Sequence, residues 1–185
     1  MIKFKYILII ILISSCQSGS ENNDHWGGVS PDFISAVDIS YYPTILENGA
    51  LFYNVQGDQI NFLNSLIENG VNTIRLRLWV NPINDSSSFN EVKEFSALLK
   101  SLGFKIWITP HFSDTWAHPG QQQIPGSWES MNFDELKTQV YSYTSQIMSQ
   151  IEPDYIQIGN EINTGILFPS GDIQNNSIQF IELLN

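Results

Sequence analysis

Polar and aromatic side chains recur at alternate positions of four segments where a packed interior would carry aliphatic residues. The set consists of Asp38 and Ser40, then Arg75, Arg77 and Trp79, then Trp107, Thr109 and His111, then Gln157 and Glu161. Guanidinium, imidazole and carboxyl groups bind polar ligands and transfer protons, and burying them unpaired would cost several kcal/mol. We therefore interpret this row of side chains as the lining of a site.

The four segments are predicted β-strands at 36–40, 73–79, 105–111 and 155–161. Their other face is apolar and includes Val37, Ile39, Ile74, Leu76, Leu78, Ile106, Ile108, Ile156 and Ile158. Helical patterns follow each strand, which favours a parallel sheet. The polar row is concentrated at the C-terminal strand ends, where barrels of the (β/α)8 type assemble their sites. The fold class predicted is this TIM-barrel type, with about the first four βα units in the chain.

Helix signals separate the predicted strands. Apolar residues recur at helical spacing at 62–67 and again at 92–102, and a glycine closes each run. The third helix is predicted to begin at Asn132, with Glu135 completing a capping box, and to end before Pro153. A fourth is expected at about 177–184.

Composition excludes several classes of function. The 185 residues have a formal net charge of -11 and two arginines, so there is no basic stripe for nucleic acid. One cysteine excludes a disulfide framework and a cysteine-based metal cluster. No glycine-rich nucleotide loop, HExxH or GxSxG motif occurs. No cofactor and no metal site is predicted.

The N-terminal segment predicts export. Lys3 and Lys5 precede a short apolar run that is followed by ISSC, which resembles the lipobox of bacterial lipoproteins. We expect a signal peptide at 1–15, a lipidated Cys16 with a flexible tether at 16–34, and a barrel domain at 35–185. The protein would then be an exported bacterial lipoprotein, held at the cell envelope or outer surface by a membrane lipid anchor. The alternative is an ordinary signal peptide with an incidental cysteine.

Four segments in order resemble glycoside hydrolase family 53, the arabinogalactan endo-β-1,4-galactanases. They are VDISYYP at 37–43, GVNTIRLRLWVNP at 70–82, HFSDTWAHPGQQ at 111–122 and QIGNEINTGILFPSG at 157–171. The resemblance implies retaining hydrolysis of β-1,4-galactan, with this chain corresponding to the N-terminal part of the barrel.

The resemblance also implies roles for individual residues. Glu161 resembles the general acid/base and Asn160 the residue that binds the sugar 2-hydroxyl. Arg77 and His111 resemble the residues that orient the nucleophile and keep it ionised. The candidate substrate contacts are completed by Trp116, Trp79, Asp114 and Asp38. Alternatives remain for these four: an aromatic plug for the tryptophans, loop capping for Asp114, and pairing of Asp38 with Arg75 in a lower layer of the barrel.

The family's nucleophile is a glutamate on the seventh strand, which we expect to lie beyond Asn185, as would any calcium ligands. The sequence is therefore expected to be part of a longer enzyme and inactive alone. An isolated Asn-Glu pair is also compatible with a solvated turn at a strand end. Two other functions remain open: an inactive surface glycan-binding lipoprotein, and a related barrel hydrolase acting on β-mannan or β-glucan.

Overall fold

Four parallel strands form the central sheet of the fold, and the computed structural model describes residues 33–185. The predictions for the leader, for Cys16 and for most of the tether lie outside the described residues. Within 33–185, no helix has both the length and the apolar character needed to cross a bilayer.

Eight strands and five α-helices follow one another in the described chain. In order they are β1 (Ala36–Asp38), α1 (Tyr42–Glu47), β2 (Phe52–Tyr53), β3 (Gln59–Ile60), α2 (Phe62–Glu68), β4 (Thr73–Leu78), α3 (Phe89–Ser101), β5 (Lys105–Pro110), α4 (Phe133–Gln150), β6 (Tyr155–Ile156), β7 (Gly165–Ile166), β8 (Gly171–Asp172) and α5 (Ile173–Leu183). The main sheet has the order β1-β4-β5-β6, and β2–β3 and β7–β8 are separate antiparallel pairs.

The core lies between one face of the main sheet and the helices. Ile74, Leu76 and Leu78 of β4 and Ile106 and Ile108 of β5 are buried there. They pack with buried apolar residues of α3 and α4, including Leu99, Leu136, Val140 and Ile147. The predicted apolar face of these two strands is therefore confirmed.

Local sequence accounts for the helix boundaries. The side chain of Ser88 accepts a hydrogen bond from the Glu91 amide at the start of α3. The predicted capping box of α4 is present, because Asn132 accepts from the Glu135 amide and Glu135 accepts from the Asn132 amide. Both arrangements satisfy amides that have no partner within the helix.

Several predicted boundaries are wrong. The fourth strand ends at Ile156 rather than at 161. Gly159 and Glu161, which the prediction included in it, have left-handed backbone angles that extended strands exclude. Ser40 lies two residues beyond β1, and Trp79 and His111 each lie one residue beyond their strands, β4 and β5. The last helix begins earlier than predicted, at Ile173, where the Asp172 side chain caps it, and it is kinked at Asn176.

Candidate active site

The parallel register places the predicted polar residues in rows across the sheet. Asp38 of β1 is opposite Arg75 of β4, and Arg75 is opposite Trp107 of β5. Two residues further along, Arg77 is opposite Thr109. His111 and Asn160 follow their strands at the carboxyl ends, where hydrogen bonds join Asn160 to Arg75 and His111 to Trp79.

An ion pair forms the lower layer of the site. The Arg75 guanidinium donates to Asp38 Oδ2 and, through Nη2, to Asn160 Oδ1 at 2.9 Å. Asp38 Oδ1 also accepts from the Ser40 backbone amide and from its hydroxyl, at 3.0 and 2.6 Å. Asp38 therefore pairs with Arg75, which is the alternative that the sequence left open, and its proposed contact with sugar stays a prediction.

Arg77 is almost completely buried, with 2% of its surface exposed. Its Nε donates to the Ser87 hydroxyl at 2.8 Å, and its guanidinium carbon lies 3.6 Å from the ring centroid of Tyr41. The rings of Trp79 and Trp116 are 4.7 and 4.9 Å from the same carbon. Burial lowers the pKa of Arg77, and the neighbouring Tyr41 and Asp38 oppose this change. Three aromatic rings thus enclose one cation in the layer above the ion pair.

His111 is buried as a neutral ring. Its Nδ1 accepts hydrogen bonds from Trp79 Nε1 at 3.1 Å and from the Ala117 amide at 3.3 Å, so Nε2 carries the proton. Burial lowers the pKa of His111 to about 4, and the charges of Arg75 and Arg77 act in the same direction. Neither His111 Nε2 nor Arg77 Nη2 has a hydrogen-bond partner within residues 33–185. Both atoms are donors, and Trp107 Nε1 in the same rows is a third buried donor without a partner in the described residues, so the site offers three buried N–H groups to an acceptor.

The two candidate tryptophans differ in accessibility. Trp116 has 41% of its surface exposed, whereas Trp79 has 8%. They meet edge to face with ring centroids 6.1 Å apart, and Trp116 Nε1 lies 3.4 Å from the Tyr41 hydroxyl. Trp116 can present a ring face to a ligand, and Trp79 supports it while fixing His111. The substrate roles of both tryptophans stay predictions.

Asn160 and Glu161 lie in a tight turn after β6. Glu161 has φ 48° and ψ 48°, a left-handed conformation that is uncommon for residues other than glycine. The buried Gln122 donates from Nε2 to the Asn160 carbonyl at 2.8 Å and to the Glu161 carbonyl at 3.3 Å. The Glu161 side chain is exposed, and Asn160 is buried next to it.

Asp114 joins two loops. Its Oδ1 accepts from the Asn81 amide and its Oδ2 from the Gly126 amide, both at 2.9 Å. The capping predicted for Asp114 therefore acts on neighbouring segments rather than on its own turn. Its contact with a sugar hydroxyl stays a prediction.

Sequence reasoning missed two residues of this site, Tyr41 and Gln122. Both lie within the segments that resemble the family, at 37–43 and 111–122, but nothing in those segments indicates a role for them. Only their partners, Arg77 and the Asn160 carbonyl, distinguish them from loop residues. No group of three or more His, Cys, Asp or Glu side chains in the described chain is arranged to hold a metal ion.

The strands are parallel, and polar and aromatic side chains lie at their carboxyl ends. This arrangement defines part of a (β/α) barrel, in which sites form at the carboxyl ends of the strands. The chain belongs to glycosyl hydrolase family 53, whose family model matches residues 34–185.

Relatives and solved structures agree with this assignment. The chain is 35% identical over 139 residues to arabinogalactan endo-beta-1,4-galactanase A of Emericella nidulans, which covers 72% of this chain and 40% of that protein. It is 32% identical over 176 residues to a probable arabinogalactan endo-beta-1,4-galactanase A of Aspergillus fumigatus, covering 92% of this chain and 47% of that protein.

Two structures resemble the fold closely. The catalytic domain of an Ignisphaera aggregans family 53 protein matches with a TM-score of 0.78 and 37% identity, over 85% of this chain and 47% of that one. A structure from a study of two fungal beta-1,4-galactanases matches with a TM-score of 0.74 and 33% identity, over 82% of this chain and 46% of that one. The chain thus spans a little under half the length of these relatives and corresponds to a partial barrel.

Proposed function

We propose that this chain provides the acid/base part of the active site of a retaining endo-β-1,4-galactanase. The observation that carries the proposal is the fixed Asn160–Glu161 turn, which Gln122 and Arg75 hold at the carboxyl ends of the strands. Arg77 and His111 lie in the same region, next to the exposed ring of Trp116. Membership of family 53 and the galactanase names of the relatives support the substrate.

In this proposal Glu161 donates a proton to the oxygen that links two galactose units. A glycosidic oxygen is a poor leaving group until it is protonated, so a positioned carboxylic acid lowers the barrier to cleavage. Trp116 provides a ring face for a galactose unit, whose C–H groups pack well against an aromatic plane. Asn160 donates an N–H to a hydroxyl of the sugar.

Retaining hydrolysis also needs a carboxylate nucleophile roughly 5 Å from the acid. We propose that it lies in the part of the family barrel that this chain does not match, since the match covers 47% of each of two relatives. The unpartnered N–H groups of His111 and Arg77 support this assignment, because two donors stabilise an ionised carboxylate.

Replacement of Glu161 by glutamine tests the acid. In the protein isolated from its source organism, we expect Glu161→Gln to reduce release of galacto-oligosaccharides from galactan by at least about 100-fold. An aryl galactoside whose leaving group needs no proton should lose much less. The exposed Glu94→Gln on α3 is the matched control and should retain full activity. Undiminished cleavage of galactan by Glu161→Gln would remove the assignment.

The same assay decides the substrate. Galactan, β-mannan and β-glucan are compared at equal mass concentration, and we expect products from galactan alone. Binding of galactan without products from any of the three polymers would indicate a glycan-binding lipoprotein instead.

We propose finally that Cys16 carries a lipid anchor and that the native enzyme is longer than this chain. Intact-mass measurement of the protein from its source tests both parts. We expect a diacylglyceryl adduct on an N-terminal Cys16 and a polypeptide of about twice the 21.0 kDa of this sequence. An active native species no heavier than the 21.0 kDa of this sequence would contradict the second part. A free thiol at Cys16 would contradict the first.

A further inference from the structure

A chain of polar contacts connects β1 and β4 to the turn after β6. It runs from the Asp38 carboxylate to the Arg75 guanidinium and on to the side-chain amide of Asn160. Asn160 Nδ2 continues the chain by donating to the backbone carbonyl of Ala117 at 2.8 Å. The buried amide of Asn160 is therefore bonded on both sides.

These partners permit only one orientation of that amide. A guanidinium has donors and no acceptor, so the group facing Arg75 must be the carbonyl oxygen of Asn160. A backbone carbonyl only accepts, so the group facing Ala117 must be the NH2. In a flipped amide, the NH2 of Asn160 would face the donors of Arg75 and its carbonyl oxygen would face the Ala117 carbonyl. Both hydrogen bonds would then be lost.

The orientation has a consequence for ligand binding. An NH2 group has two protons, and Ala117 takes one of them. The second remains available as a donor to an acceptor oxygen, such as a hydroxyl of the sugar next to Glu161.

We propose that Arg75, anchored by Asp38, is a positioning residue that fixes Asn160 with its free N–H available to the substrate. Arg75 acts through Asn160 and needs no contact with the sugar itself. The inference deepens the proposed function, and it depends on that function only for the identity of the ligand.

Hydrogen exchange of the Asn160 side chain tests the inference on the 185-residue chain. The two Nδ2 protons are followed by 15N NMR and assigned by their loss in Asn160→Asp. We expect Arg75→Met, which keeps the length of the side chain but removes the donors, to accelerate exchange of the proton bonded to Ala117 by about tenfold. Arg75→Lys keeps a charged donor and should restore the rate to within about threefold of the original.

A second ion pair provides the control. Lys137 and Glu182 are 3.0 Å apart on α4 and α5, so Lys137→Met removes an ion pair without altering Asn160. This variant should leave the exchange rate unchanged. An unchanged rate in Arg75→Met, or equal acceleration in Lys137→Met, would overturn the proposal.

If circular dichroism shows that Arg75→Met does not fold, Asp38→Asn decides the question. This variant keeps the shape of Asp38 but removes the charge that anchors Arg75, so exchange should accelerate. An unchanged rate would then overturn the proposal. Because no sugar is present in these measurements, their outcome is independent of whether the enzyme cleaves galactan.

Discussion

His111 makes the stability of the fold depend on pH. Burial keeps the ring neutral and lowers its pKa from 6.5 to about 4, so the unfolded chain binds a proton that the folded chain excludes between these values. The stability that neutral His111 contributes is therefore fully present above pH 6.5. As the pH falls toward 4, the free energy of unfolding decreases by roughly 3 kcal/mol because the unfolded chain takes up the proton.

Urea unfolding of the chain between pH 7 and pH 4 measures this dependence. Removing the imidazole in His111→Gln should flatten the loss of unfolding free energy relative to the unmodified chain, because carboxylates that titrate in the same range are common to both. The exposed His118→Gln should keep the original slope. Parallel curves for His111→Gln and the unmodified chain would contradict a buried neutral His111.

The face of the strand on which a residue lies was more predictable than the side chains that it contacts. Alternation along β4 placed Arg75 and Arg77 on the polar face, and the structure pairs Arg75 with Asp38. The enclosure of Arg77 by Tyr41 and two tryptophans was not predictable, because Tyr41 lies on a loop whose path no periodicity specifies. Contacts between side chains that are distant in sequence depend on loop conformation, which local pattern does not fix.

At the scale of elements, the turn between β6 and β7 depends on Gly159. This residue has φ 77°, and a Cβ at this position would lie 2.5 Å from Ile162 Cγ2 and 3.3 Å from Ile166 Cγ2. We expect Gly159→Ala to lower the free energy of unfolding by about 2–3 kcal/mol, through both backbone strain and crowding.

Gly49 separates the two causes. It has the same φ of 77°, and a Cβ added there would have no atom within 4 Å, so Gly49→Ala reports backbone strain alone. It should cost about 1 kcal/mol, measured by the same chemical denaturation. Equal losses in the two variants would show that Ile162 yields without cost and that crowding contributes nothing.

Long elements were predicted better than short ones. β4, β5, α2, α3 and α4 match their predicted positions closely, since periodicity and caps recur over six or more residues. The two-residue strands of the β2–β3 and β7–β8 pairs contain too few residues to show a period. The six-residue α1 was missed because six residues make fewer than two helical turns, whereas six residues show three repeats of a strand. The alternation beyond Ile156 predicted a longer strand, but β6 ends there and the left-handed angles of Gly159 exclude an extended continuation to 161.

At the scale of the whole molecule, the main sheet has open edges and a partly apolar cavity lies between two of the helices. Among residues 33–185, β1 and β6 each have a partner on one side only. A cavity of about 510 Å³ between α4 and α5 is lined by the apolar residues Val140, Ile158, Leu183, Leu184 and the exposed ring of Tyr141, and by the polar residues Lys137, Thr138, Thr144, Glu182 and Asn185. Open strand edges and exposed apolar side chains promote association between copies of a chain.

We therefore expect the isolated 185-residue chain to self-associate at micromolar concentration, as sedimentation velocity would show. Tyr141 is 72% exposed, so Tyr141→Lys places a charge at the cavity with little effect on the fold and should raise the midpoint concentration of association about tenfold. Ile83 is fully exposed and does not line this cavity, so Ile83→Lys is the matched control and should leave the midpoint unchanged. A chain that remains monomeric at all concentrations, or equal effects of the two substitutions, would show that the cavity between α4 and α5 does not mediate association.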